Sequence, residues 1–157
     1  MLVFDVNETL LDLRALDPRF QQVFGDATVR QQWFQQMLQS AFVTIITNAY
    51  SDFGSIGRAA LRMVAQRRGI TLTEAQEKTI LSGIRELPAY PEVRAALERL
   101  RDVGFRLATL TNSTAQAAEA QLRHAGIRDL FERVLSADST KRLKPAPEPY
   151  LAAAAEL

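Results

Sequence analysis

The sequence predicts an α/β fold: a doubly wound, Rossmann-like parallel sheet interrupted by an inserted all-helical segment. Three observations carry this. A short apolar run, Leu2-Val3-Phe4, opens the chain and stops at a carboxylate, Asp5. Beyond residue 88, helix and strand patterns alternate, which is the signature of parallel strands joined by crossover helices. Between these parts, residues 14–87 read almost wholly as amphipathic helix. Residues 1–13 and 88–157 are therefore assigned to the α/β part and residues 14–87 to the insertion.

Each element has its own local reason. Leu2-Val3-Phe4 reads as a strand buried on both faces. Asp17-Pro18 reads as a helix start and Gly25-Asp26 as its end. Val29, Trp33, Phe34, Met37, Leu38, Ala41 and Phe42 recur at spacings of three and four, with arginine and glutamines between them. The β-branched run at 43–47 suits a strand, but continuity favours helix. Residues 48–55 read as a loop. Ile56, Ala59, Ala60, Met63 and Val64 mark another helix, ending near Gly69. Thr73-Glu74-Ala75-Gln76 is a capping box for the next, which carries Ile80, Leu81 and Ile84. Leu87-Pro88-Ala89-Tyr90-Pro91 is a punctuated linker. A helix then runs from Pro91 to Gly104, a strand spans 105–110, and a helix extends from Thr114 to Gly126. A short strand at 134–136 and a last helix at 147–157 complete the chain.

Composition narrows the function. The 157 residues are 47% hydrophobic and 24% charged, enough for a packed core. The net charge is +1, from 19 basic and 18 acidic residues, which gives no electrostatic case for nucleic acid or an anionic membrane. There is no cysteine, so disulfides, thiol nucleophiles and cysteine metal sites are excluded. A single histidine, His124, excludes a multi-histidine metal site; it is read as a favourable charge near a helix C-terminus. No apolar run approaches a membrane span. The expectation is a soluble cytoplasmic protein.

Three polar points fall at or soon after predicted strand ends: Asp5, Thr111-Asn112 and Lys144. Ligands of open parallel sheets sit beyond the carboxyl ends of the strands. Neighbouring strands are only ~5 Å apart, so these groups can converge. A carboxylate can attack an electrophilic carbon or phosphorus and form an ester. A nearby cation keeps it ionised and offsets charge in the transition state. A hydroxyl with backbone amides at a helix start can bind an anion.

Phe4-Asp5-x-x-x-Thr9-Leu10, the apolar strand ending in Thr111-Asn112, and Lys144-Pro145 resemble the first three motifs of the haloacid dehalogenase superfamily. The helical segment matches that superfamily's cap position. The resemblance is closest to the type II (S)-2-haloacid dehalogenases and covers nearly the whole chain. It implies that Asp5 is the nucleophile, with Lys144, Thr111 and Asn112 also catalytic. The phosphatases of the superfamily carry a second aspartate two positions after the nucleophile, as general acid and main-chain Mg²⁺ ligand. Here that residue is Asn7, whose amide has no useful proton to give. A halide leaving group needs none. The expected reaction is therefore hydrolytic dehalogenation of small (S)-2-haloacids to 2-hydroxyacids through an aspartyl ester. It needs no cofactor or metal.

The resemblance also suggests Arg30, Trp33, Asn7 and Tyr150 as halide- or substrate-binding residues, and a possible homodimer through the cap. Plainer readings stand beside these: Lys144 as a surface lysine, Thr111-Asn112 as a helix cap, Arg30 as a solvated helix residue, and Trp33 as core. Two other functions remain. One is a Mg²⁺-dependent phosphatase of a small phosphorylated metabolite. The other is an inactive binding module. The superfamily's fourth motif has no counterpart before Leu157. The sequence is therefore expected to be truncated ahead of that motif, with Leu2-Val3-Phe4 left at an exposed edge. Alkylation of Asp5 is expected to outlast ester hydrolysis in such a chain.

Overall fold

The computed structural model describes all residues, 1–157. Strand β1 (Leu2–Phe4) is followed by four helices: α1 (Asp17–Phe24), α2 (Val29–Ile46), α3 (Phe53–Arg67) and α4 (Glu74–Ser82). Then come α5 (Val93–Asp102), β2 (Leu107–Thr111), α6 (Ala115–His124), β3 (Arg133–Ser136) and α7 (Pro147–Glu156). The three strands form one parallel sheet in the order β1-β2-β3, with Phe4 level with Thr109 and Thr111 level with Ser136. Helices cover both faces. Leu107 joins Leu97 of α5 and Leu122 of α6 in the main core, while Leu110 and Leu135 pack with Ala153 of α7 on the other face. The fold is thus α/β and doubly wound, with four helices inserted between β1 and α5.

Glycines stop the helices that precede strands. Gly104 adopts φ +92°, and Phe105 N–H bonds back to the Leu100 carbonyl. This is a Schellman closure, which needs a left-handed residue at that point. It consumes residues 104–105 in the turn, so β2 begins at Leu107 rather than at 105, where the β-propensity of Phe105 pointed. Phe105 is left exposed. Residues 43–46 remain helical as the last turn of α2, because the intrahelical ladder continues and no neighbouring strand offers an alternative. The capping box at Thr73 forms as expected, with Thr73 and Gln76 satisfying each other's backbone N–H groups. Residue 53 opens α3 earlier than expected, because Asp52 accepts Ser55 N–H at 2.9 Å as its N-cap.

One buried cluster of 25 residues runs from the helical segment into the sheet layer, through Leu11, Leu13, Leu16 and Leu87 near the two chain crossings. β1 lies at one edge of the sheet, and its Val3 is 46% exposed. No helix is long and apolar enough to cross a membrane.

Candidate active site

The Asp5 loop is built around a single carbonyl. Val6 O accepts the N–H groups of Thr9, Leu10 and Leu11 at 3.4, 2.8 and 3.0 Å, folding residues 6–11 into a tight turn. Glu8 takes a left-handed φ of 60° there, and its carboxylate accepts Leu13 N–H at 3.0 Å. The linker returning from the helical segment braces the turn: Tyr90 N–H bonds Leu10 O, and Asp12 N–H bonds Pro88 O. Asp5 is thereby held directly after β1, with its side chain 46% exposed at the carboxyl end of the sheet. The N–H groups of Val6 and Asn7, immediately after it, have no acceptor within the chain.

Lys144 meets Asp5. Its Nζ lies 2.8 Å from Asp5 Oδ1 and 2.5 Å from the carbonyl oxygen of Leu110. Lys144 is itself gripped by Asn112 at both main-chain atoms: Lys144 N–H donates to Asn112 Oδ1 at 2.7 Å, and Asn112 Nδ2 donates to Lys144 O at 3.2 Å. The side chain of Asn112 therefore serves the main chain of Lys144. Thr111 is buried at the end of β2, where its Oγ1 accepts Ser113 N–H at 3.2 Å. Three segments distant in sequence thus meet at one strand end.

The remaining predicted residues make the following bonds. Arg30 is buried in the helical segment, with its Nε 2.5 Å from Asp17 Oδ1. Trp33 is 1% exposed; it packs on Phe20 and Phe34 and donates its indole N–H to Gly57 O at 2.8 Å. Both side chains are engaged within the helical segment, and neither makes a bond to Asp5 or Lys144. Tyr150 is 48% exposed on α7, and its hydroxyl makes no hydrogen bond within the chain. Asn7 is close to the site's other polar groups: its Nδ2 donates to Ser113 Oγ at 3.3 Å, and its Oδ1 accepts from Gln121 Nε2 at 3.1 Å.

Ser113 and Gln121 are site residues that the sequence reading missed. Ser113 lies one residue past the recognised pair. Gln121 shares the inward side of α6 with Ala118 and Leu122, and a glutamine among core positions at helical spacing was the signal available. Position 7 also bears on a metal. The atom a cation would take from this side chain, Oδ1, is already bonded to Gln121. No three His, Asp or Glu side chains converge into a metal-holding group. The amide at position 7 cannot serve as the acid of a phosphatase, which counts against the phosphate-ester reading.

A second polar cluster joins the helical segment to the α/β part beside this strand end. Tyr50 O–H donates to Asp138, Lys141 Nζ lies 3.2 Å from the same carboxylate, and Arg142 bonds Asn48. The Tyr50 phenol is raised above its ordinary pKa by burial and by Asp138, while the hydrogen bond from Tyr50 holds the Asp138 carboxyl below its own.

Comparison with known proteins agrees with this geometry. A family model for haloacid dehalogenase-like hydrolases matches residues 1–157. The (S)-2-haloacid dehalogenase of Pseudomonas sp. (strain YL) is 28% identical over 151 residues, covering 95% of this chain and 65% of that protein. The (S)-2-haloacid dehalogenase 4A of Burkholderia cepacia is 27% identical over 150 residues, again across 65% of its length. The L-2-haloacid dehalogenase from Xanthobacter autotrophicus with chloropropionic acid covalently bound superposes with a TM-score of 0.91 at 25% identity, covering 99% of this chain and 63% of that one. The chain thus spans about 65% of the length of the curated relatives it matches. On sequence and fold together, it belongs to the haloacid dehalogenase-like hydrolases.

Proposed function

We propose that this chain carries the nucleophilic centre of a hydrolase acting on the carbon–halogen bond of small (S)-2-haloacids, with residues 14–87 as a cap over the α/β part formed by residues 1–13 and 88–157. The observation that carries the reading is the contact of Lys144 Nζ with Asp5 Oδ1 at 2.8 Å, on a lysine whose main chain is clamped by Asn112. A fixed ammonium offsets the charge of the carboxylate and limits its rotation, which is what a carboxylate nucleophile needs. The names of the relatives support the substrate class proposed here.

In this reading Asp5 attacks C2 of the haloacid from the face opposite the halogen. The carbon–oxygen bond forms as the carbon–halogen bond breaks, and halide leaves with the bonding pair. No proton is required, so the amide at position 7 is no handicap. Lys144 offsets the carboxylate charge before attack. The unpaired N–H groups of Val6 and Asn7 and the hydroxyls of Thr111 and Ser113 are the donors available to the substrate carboxylate. Water then attacks the ester carbonyl of Asp5, and cleavage of the acyl–oxygen bond returns the carboxylate and releases a 2-hydroxyacid. No cofactor takes part.

Release of chloride from (S)-2-chloropropionate tests the reading. Wild-type protein is expected to release at least one equivalent per chain, with the rate unchanged by chelator. Asp5→Asn is expected to lower the rate by at least ~10³-fold, as loss of a nucleophile does. Phosphate release from p-nitrophenyl phosphate that depends on Mg²⁺, without chloride release, would replace this reading with phosphate-ester chemistry.

A further inference from the structure

Gln121 is 0% exposed, yet its Oε1 has no hydrogen-bond partner. An unpaired acceptor in the interior is unfavourable, and an apolar side chain at this core position would avoid it. What holds a glutamine there must lie with its nitrogen. Nε2 donates to the main-chain oxygen of Ile84 at 2.8 Å and to Asn7 Oδ1 at 3.1 Å, using both of its hydrogens.

These bonds fix a direction. A backbone carbonyl only accepts, so the Gln121 nitrogen must face Ile84. The second hydrogen on that nitrogen then requires an acceptor, so the oxygen of the Asn7 amide must face Gln121. Asn7 Nδ2 is turned the other way, towards Ser113 Oγ at 3.3 Å. Ser113 is pinned further: its N–H bonds Thr111 Oγ1 at 3.2 Å and its O accepts from Ser136 Oγ at 2.6 Å. Its hydroxyl oxygen is an acceptor within the relay and its hydroxyl hydrogen has no intramolecular acceptor. Thr111 is in the same condition, accepting at Oγ1 and donating nowhere. Two buried hydroxyls at the end of β2 thus each hold an uncommitted hydrogen.

We propose that Gln121 is a positioning residue: acting through Asn7, it makes Ser113 Oγ an acceptor and so frees the Ser113 O–H to donate to the carboxylate of the substrate. This rests on the haloacid reading above for the identity of the ligand, but the relay itself does not. Ile84 sits in the 3₁₀ turn Gly83–Glu86 at the base of the helical segment. The relay therefore also ties that base to the site.

The test is nuclear magnetic resonance on the full chain, reading the side-chain amide of Asn7, assigned by its disappearance in Asn7→Asp. In wild type without ligand, the two Nδ2 protons are expected to be well separated and protected from solvent exchange. In Gln121→Met, similar in shape but without a donor, they are expected to move towards solvent-averaged values while the dispersed backbone spectrum persists. Gln121→Glu, which sets an acceptor against two acceptors, is expected to do the same, although a purely space-filling role would tolerate it. The affinity for (R)-2-hydroxypropionate, the product of the proposed reaction, is expected to fall about tenfold in Gln121→Met and in Ser113→Ala.

Unchanged Asn7 signals in Gln121→Met, or changed signals with unchanged affinity, would overturn the proposal. If wild type does not bind the hydroxyacid, the haloacid reading fails, and the assignment of the ligand in this proposal fails with it. The ligand-free Asn7 signals still decide the relay on their own. Should Gln121→Met not fold, Ser113→Ala decides it from the other end: the Asn7 protons are expected to move while those of Gln121 stay, and the reverse would overturn it.

Discussion

Asn112 shows how much of a site rests on one side chain's hold on a neighbour's main chain. Its amide holds both main-chain polar atoms of Lys144, at 2.7 and 3.2 Å, and so sets where the ammonium meets Asp5. Removing that clamp leaves Lys144 its charge but not its place, and misplacement of about an ångström costs ~10²-fold. Asn112→Ala is accordingly expected to slow chloride release from (S)-2-chloropropionate by ~10²-fold, mainly in kcat, with the melting temperature little changed. Sequence pattern placed Asp5, Asn112 and Lys144 at strand ends, and they stand together in the structure. It did not reveal what Asn112 holds, because the direction of an amide is set by neighbours 32 residues away. Arg30 and Trp33 show a related blindness. Their spacing puts them on one side of α2 but does not say which way that side faces. Here Arg30 bonds Asp17, and Trp33 meets Phe20 and Gly57.

At the scale of elements, α3 and α4 are joined by a buried carboxylate. Glu77 is 4% exposed and accepts from Arg62 Nε and Nη2 at 2.5 and 2.9 Å, with Arg58 at 3.7 Å. The hydrogen bonds from Arg62 hold its carboxyl below the usual glutamate pKa. A depressed folded-state pKa contributes stability that is fully present above the unfolded value, about 4.3, and is lost as pH falls through the folded value. Glu77→Gln is therefore expected to lower unfolding free energy by about 1.5 kcal/mol at pH 7, the low end for bonds to a charged group because Arg62 is largely exposed. In urea titrations the gap between the two proteins is expected to close progressively as pH falls below about 4.3. A gap that stays constant across that range would contradict the role given to the ion pair. Helix positions were legible here from caps and glycines. The start of β2 was not, because Phe105 has strand propensity but its N–H is already bound to Leu100 in the turn that closes α5.

The molecule as a whole is a three-stranded parallel sheet whose carboxyl end carries Asp5, Asn112 and Lys144, with four helices inserted between β1 and α5. That order was legible because an all-helical pattern gives way near residue 88 to helix and strand patterns in turn, and because polar residues punctuate the strand ends. The edge position of β1 was expected from the resemblance, which pairs it with a strand carrying the fourth motif; the both-face burial read from Leu2-Val3-Phe4 was not found, since Val3 is 46% exposed. Contacts across the insertion were not legible. Tyr50 with Asp138, Arg142 with Asn48, and Gln121 with Ile84 each join residues from 37 to 94 positions apart, and no local rule relates them.

The central claim is that Asp5 is a nucleophile towards carbon bearing halogen. The mass of the peptide containing Asp5, taken after incubation with (S)-2-chloropropionate and rapid quenching, tests it most directly, since it requires only the displacement step. The account predicts an ester adduct on Asp5 that is absent with the (R) enantiomer and absent in Asp5→Asn. A folded protein that yields neither adduct nor chloride would contradict it.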